Sequence, residues 1–307
     1  MSNQISSAVC EQSMSAEQYI VVLSCLSQPG IVSKVGAMLY QHGGNILEAH
    51  QFDDKGTGSF FMRMVFNLPE GGDLETLIAD FRPIAESHDM RWEIRPRNER
   101  MRVLLMVSRR DHCLADLLRR WRMDELKMDI VGIVSNHPRS AFDYVNFADL
   151  PFHHLPVTRE CKSTQEARIK EIISESRVEL VILAGYTPIP SEDLASFLWG
   201  RCINIHHSFL PAFNGAKSQP QTPIRGVKFI GATAHYVTGE LDEGPVIEQD
   251  VERVGHQDSL EELVRKARTI ESRVLARAVA SHLDGRTLIS GATAVVFRDE
   301  RLILDLQ

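Results

Sequence analysis

Little cysteine, no excess of positive charge and no long apolar run mark this chain, and each shortage removes a class of function. The five cysteines (Cys10, Cys25, Cys113, Cys161 and Cys202) are odd in number, unevenly spaced and without a C-x-x-C pair. That excludes a disulfide framework or a zinc ribbon and reads as reduced thiols in a cytoplasmic protein. A formal net charge of -7 argues against a nucleic-acid surface and fits a small-molecule enzyme. Apolar stretches such as Val178–Ala184 fall far short of the ~20 residues needed to cross a bilayer, so no membrane partner is expected. The polar segment Met1–Glu17 reads as a tail, neither signal peptide nor anchor. With 307 residues, the chain is too long for one small core and predicts two domains.

Residues 18–95 alternate between two periods. Tyr19–Cys25 is an apolar, β-branched run and predicts a buried strand. After Pro29-Gly30, Ile31, Val35, Met38 and Leu39 recur at helical spacing, and Gly43-Gly44 ends that helix. Asn45–Phe52 and Ser59–Asn67 predict strands about a turn at Asp53–Gly58. Asp73 is placed to cap a second helix with Leu74, Leu77, Ile78 and Phe81 on one face, and Met90–Ile94 closes the unit. The order βαββαβ is the ferredoxin-like split βαβ. Residues 96–101 read as a solvated linker, since Glu93 and Glu99 dilute the arginines around it.

Residues 102–307 change to strand–helix alternation: strands at Val103–Val107, Ile130–Val134, His154–Val157, Leu180–Ala184 and Cys202–Ile205, with helices at Leu114–Met123 and Glu166–Ser176. This predicts an α/β, doubly wound, mostly parallel sheet whose crevice lies at the carboxyl ends of its strands. Ser259 and Glu262 form a capping box for a long helix, whose stripe of Leu260, Leu263, Val264, Ala267, Val274 and Ala278 reads as core packing.

Asn204, His206, His235 and Asp242 stand out because an amide, two imidazoles and a carboxylate sit in apolar sequence, where polar groups must be paired or used. Together they suit chemistry at a carbonyl carbon. An amide and an imidazolium stabilise an oxyanion, and a carboxylate or neutral imidazole manages a proton. The pairs His153-His154 and His206-His207 raise the question of a metal, but neighbouring strand residues point to opposite faces, so no metal site is expected.

Ile203–Phe213, Gly231–Val237 and Leu241–Pro245, with Ser135–Pro138, Pro151–His154 and Asp111–Leu114, resemble the formyltetrahydrofolate deformylase family along nearly the whole chain. The resemblance implies an N-terminal ACT domain, a formyltransferase-like domain, and hydrolysis of 10-formyltetrahydrofolate to formate and tetrahydrofolate. The folate is then a substrate, with no tightly bound cofactor. It assigns catalysis to Asn204, His206 and Asp242, with His235 orienting Asp242 and Ser208 in support. Tyr186, Thr187, Ile189, Val237, Leu241 and Gly244 would contact the substrate, and Leu210-Pro211 would be a cis bond. Gln28, Gly30 and Ile31 would hold an amino-acid effector such as methionine or glycine, and a homodimer or homotetramer is implied. A transferase of this fold binds a phosphorylated amine on a glycine-rich turn after its first strand. Val107–His112 stands there without a glycine, and the chain ends at Gln307 soon after the long helix, which favours water as acceptor. Departures from the family pattern at Gly185–Pro190 and Ser218–Pro223 leave a folate- or amino-acid-sensing protein with little turnover, or a different formylated substrate, as alternatives, and a third, at Ser27-Gln28, bears on effector binding.

Overall fold

A computed structural model of the protein describes residues 17–210 and 228–299. The predicted cis bond at Pro211 and the departure at Ser218–Pro223 therefore lie outside the described residues. The chain divides into two units. One comprises residues up to Glu99 together with Asp284–Leu288, and the other Arg100–Leu283 with the remainder.

In the first unit, β1 (Gln18–Leu26), α1 (Ile31–Gln41), β2 (Asn45–Asp54), β3 (Ser59–Asn67), α2 (Leu74–Ser87) and β4 (Arg91–Pro96) follow the expected order. The four strands form an antiparallel sheet in the order β2-β3-β1-β4. Alternation along each strand decides which side chain faces the helices. Tyr19, Val21 and Leu23 of β1 and Phe60, Met62, Met64 and Phe66 of β3 pack with Ile31, Val35, Met38 and Leu39 of α1 and Leu77 and Phe81 of α2. Asp73 caps α2 as expected, accepting from the Glu75 N–H at 2.9 Å.

The opposite face of this sheet carries a charge cluster. Arg63, fully buried, donates to Glu48 at 3.0 Å and to the Asp284 carboxylate at 2.8 Å. Arg286 reaches Asp284 at 2.7 Å and Glu48 at 3.2 Å, and Arg97 reaches Glu48 at 3.1 Å. Burial alone would raise the Glu48 carboxyl, but Arg63, Arg97 and Arg286 outweigh it and hold it below the usual range. The division between the units falls between Glu99 and Arg100, inside the segment expected as a linker, but the start of that segment is not simply solvated. β4 runs through Pro96, Arg95 is buried beside Glu93 at 3.3 Å, and Arg97 is bound into the cluster.

The second unit holds a seven-stranded sheet in the order β11-β10-β9-β8-β5-β6-β7. Its strands are β5 (Met101–Val107), β6 (Met128–Ser135), β7 (Phe152–His154), β8 (Leu180–Leu183), β9 (Cys202–His206), β10 (Phe229–Tyr236) and β11 (Val246–Arg253). β9-β8-β5-β6-β7 are parallel, and β10 and β11 are antiparallel. Val103, Leu105 and Val107 face α3 (His112–Arg122) and α6 (Leu260–Leu283), whereas Leu104 and Met106 face α4 (Lys162–Glu175) and α5 (Glu192–Phe197). Both faces of the central strands are covered, which is why they read as continuous apolar runs. β7 begins two residues before its predicted start, and α5, β10 and β11 were not anticipated. The Ser259–Glu262 capping box is present, with bonds of 3.2 and 2.7 Å. Of the α6 stripe, Leu263, Val274 and Ala278 are buried, but Leu260 and Val264 are exposed, so those two are not core.

Candidate active site

Asn204 and His206 lie two residues apart on β9 and so share a face of the sheet. Antiparallel pairing with β10 sets His235 opposite Asn204 and Thr233 opposite His206. A register irregularity between Ala234 and His235 lies on the other side of β10, in its pairing with β11, a device that re-aims side chains at sheet edges. The chain then turns back over the end of β10, with Tyr236 N–H donating to Pro245 O at 2.9 Å. Two residues make that return possible. Asp242 adopts a positive φ of 59°, a region that Asp tolerates better than most. At Gly244 any side chain would overlap the Tyr236 carbonyl oxygen, so this predicted substrate contact has a demonstrable backbone role.

The turn brings Asp242 Oδ1 to 3.2 Å from His206 Nδ1 and 3.8 Å from His235 Nε2. The carboxylate accepts, so His206 Nδ1 carries a hydrogen. That bond from His206 holds the Asp242 carboxyl below the usual range, against the opposing effect of its burial. His206 Nε2 is fully buried and meets no hydrogen-bond partner among the described residues, which is costly unless a ligand supplies one.

His235, 3.8 Å from Asp242 at Nε2, also has closer partners. Its nearest polar neighbours are the Tyr236 carbonyl at 2.9 Å from Nδ1 and the Asn204 amide nitrogen at 3.2 Å from Nε2. A carbonyl only accepts, so Nδ1 bears the hydrogen. Burial depresses the ring's pKa and keeps it neutral, so Nε2 is an acceptor. The Asn204 group facing it must then be NH2, which fixes the amide's orientation and leaves one N–H for a ligand. His235 Nε2 thus lies closer to the Asn204 amide, at 3.2 Å, than to Asp242, at 3.8 Å.

A depressed imidazole binds fewer protons folded than unfolded, so stability falls as pH drops below about 6.5. His235→Asn should reduce the pH dependence of unfolding free energy just below about pH 6.5 by up to ~1.4 kcal/mol per pH unit. Denaturant titrations at several pH values measure it, and parallel curves for the two proteins would contradict it.

Other predicted residues are distributed unevenly. Ser208 is buried, and its carbonyl accepts from Thr233 Oγ1 at 2.8 Å. Thr233 Oγ1 also accepts from Leu210 N–H and from Gln249, at 3.1 and 2.9 Å. Thr233 and Gln249 thus lock the segment after β9, and sequence reading missed both. The only available signal was a hydroxyl two residues before His235 in an alanine-rich strand. Val237 is buried and Leu241 is exposed. The Tyr186 hydroxyl accepts from Gln165 Nε2 at 2.6 Å, Thr187 is bonded to Ser108, and Ile189 projects outward. His206 and His207 stack with ring centroids 4.9 Å apart, so the opposite-face argument fails for this pair. β9 ends at His206, and alternation ends with it.

His112, Cys113 and Glu271 place one potential metal-ligand atom each within 4.8 Å of one another. His112 Nε2 is already bonded to Glu271 at 2.7 Å, and burial, reinforced by Glu271, pushes the Cys113 thiol well up. A protonated thiol beside a bonded pair is a poor metal ligand. In the first unit, Gly30 caps α1 with φ 91° and no side-chain bond to the helix, Ile31 is buried and Gln28 is exposed.

Residues 101–279 match the formyl transferase family and residues 19–85 the ACT domain. A formyltetrahydrofolate deformylase of Corynebacterium sp. is 42% identical over 282 residues, covering 92% of this chain and 98% of that one. This chain belongs to the formyltetrahydrofolate deformylase family. The crystal structure of a formyltetrahydrofolate deformylase from Burkholderia mallei superposes with a TM-score of 0.87 at 47% identity, over 92% of this chain and 100% of that one. The phosphoribosylglycinamide formyltransferase of Anaplasma phagocytophilum covers 66% of this chain at 26% identity, with a TM-score of 0.58. The deformylase likeness thus includes both units, whereas the formyltransferase likeness covers about two thirds of the chain. Among the described residues no helix is long and apolar enough to cross a membrane.

Proposed function

We infer that this chain hydrolyses 10-formyltetrahydrofolate to formate and tetrahydrofolate, with Asn204, His206 and Asp242 as its catalytic residues. The observation that carries this reading is the buried, unpartnered His206 Nε2 on a ring whose other nitrogen is held by Asp242. A formamide carbonyl is a poor electrophile, so stabilising the oxyanion is the largest demand on the site. The free Asn204 N–H and protonated His206 Nε2 donate to the formyl oxygen. Asp242 Oδ2 holds the attacking water and takes its proton as the new C–O bond forms. His206 Nε2 then gives its proton to the departing nitrogen of the folate as the C–N bond breaks, leaving formic acid, which loses its proton to solvent. The proton taken up by Asp242 returns to His206 Nε2 by way of water, since Nδ1 keeps its own.

Ile189 and Leu241, both exposed, and the backbone around Tyr186, Thr187, Val237 and Gly244 are proposed to line the folate. In the ACT unit, Gln28, Gly30 and Ile31 are proposed to take a small amino acid such as methionine or glycine, since the first turn of α1 lacks a side-chain cap. A cytoplasmic homodimer or homotetramer completes the proposal, and sedimentation would test its assembly.

The activity is tested by measuring formate release from 10-formyltetrahydrofolate with no amine added. Steady release proportional to enzyme is expected. Strict dependence on an added amine acceptor would mean that the protein is a transferase.

A further inference from the structure

The connection between β8 and α5, Gly185–Ser191, carries three of the proposed substrate contacts, yet it contains two prolines and has few hydrogens to hold itself in place. Pro188 and Pro190 have no N–H. The loop is held instead from outside, by buried polar side chains on other elements. At its far end Ser191 N–H donates to Glu166 Oε1 at 2.9 Å, and the Tyr186 hydroxyl meets Gln165 Nε2 at 2.6 Å. Both partners lie on α4 and are buried.

The middle of the loop depends on Ser108, at the carboxyl end of β5. Its hydroxyl accepts from Thr187 N–H at 3.0 Å and from Thr187 Oγ1 at 3.0 Å, and donates to Asn136 Oδ1 at 2.6 Å. One donor and two acceptor sites exhaust a hydroxyl, so every bond it can make is spent on joining the ends of β5, β6 and β8. Its own N–H adds a bond to Gly185 O at 3.3 Å. Gly185, at φ 81°, lies so close to the other loop that a β-carbon would stand 2.9 Å from Arg110 O. Ser108 is 1% exposed, too buried for water to replace it.

We propose that Ser108 is a positioning residue for substrate binding, acting through the Thr187 backbone and not on the reacting atoms. It rests on the reading that Gly185–Ser191 lines the folate. A loop held in its bound shape before the ligand arrives loses less freedom on binding, so its holder is felt in affinity and not in the chemical step. Ser108→Ala removes the partner that Thr187 N–H and Asn136 Oδ1 share in the structure.

The test is Ser108→Ala in the full-length protein. The expected result is a KM for 10-formyltetrahydrofolate and a Kd for tetrahydrofolate, by calorimetry, each raised about tenfold, with kcat within about twofold. Amide exchange across 185–191 should quicken by about tenfold or more. Unchanged KM and exchange, or a fall in kcat at constant KM, would overturn it. If the alanine variant does not fold, Ser108→Cys keeps a side chain of similar size and gives the same readout with a smaller increase. Asp242→Asn assayed in parallel separates the two readings: loss of turnover there, with KM unmoved by Ser108→Ala, overturns this inference alone.

Discussion

Asparagine at position 242 is expected to lower turnover at least ~100-fold while the protein stays folded. The substitution is close to isosteric, and asparagine tolerates the positive φ that Asp242 adopts, so the return over β10 should persist. The amide oxygen can still accept from His206 Nδ1 at the observed 3.2 Å. What it cannot do is take a proton from water or balance a charged imidazole, and both are needed at the same moment. The bond from His206 already keeps the native carboxyl below its usual range, so it is ionised at neutral pH and ready as a base. Formate release, with circular dichroism as the folding control, measures the effect. A rate near that of the unaltered protein would remove Asp242 from proton handling.

The second large effect is on stability, at Asp284. Three guanidinium groups, Arg63, Arg97 and Arg286, meet two carboxylates, Glu48 and Asp284, on one face of the ACT sheet. Arg63 is fully buried, and burial lowers its pKa, with Asp284 the foremost opposing influence. Asp284→Asn leaves three cations sharing one carboxylate and should cost about 3–5 kcal/mol, the range for breaking a buried pair. Arg63→Met should cost less, because the two remaining arginines still balance the two acids. Hydrogen exchange at β1 and β3 distinguishes the variants, since Arg63 lies on β3. Equal losses, or none for Asp284→Asn, would refute the charge count.

The same cluster shows where sequence reading stops. The four buried residues of α1 were legible because helical spacing is local, and the alternation of β1 and β3 likewise. Residues 96–101 looked like a solvated linker because Glu93 and Glu99 dilute the arginines around them. The order of Arg97 depends on Glu48 and Asp284, far away in sequence, and Asp284–Leu288 returns to the first unit after most of the second unit has been built. Pro96 also discouraged a strand, yet β4 is an edge strand, where a missing N–H costs little.

At the site, Asn204 and His206 were legible because polar groups set in apolar sequence must be paired or used. The partner of His235 was not, since it depends on the register of β9 against β10. The stacking of His206 on His207 escaped for a related reason: strand alternation does not extend past the strand's last residue. Ser108 gave no signal, because a serine after an apolar strand is ordinary until the opposing loop is seen.

The central claim is that an amide, an imidazole and a carboxylate converge on one formyl group. A crystal structure of Asp242→Asn soaked with 10-formyltetrahydrofolate tests it most directly. The formyl oxygen should lie within about 3 Å of both Asn204 Nδ2 and His206 Nε2, the ordinary span of an N–H···O bond. A formyl group bound elsewhere, out of reach of both nitrogens, would contradict the account.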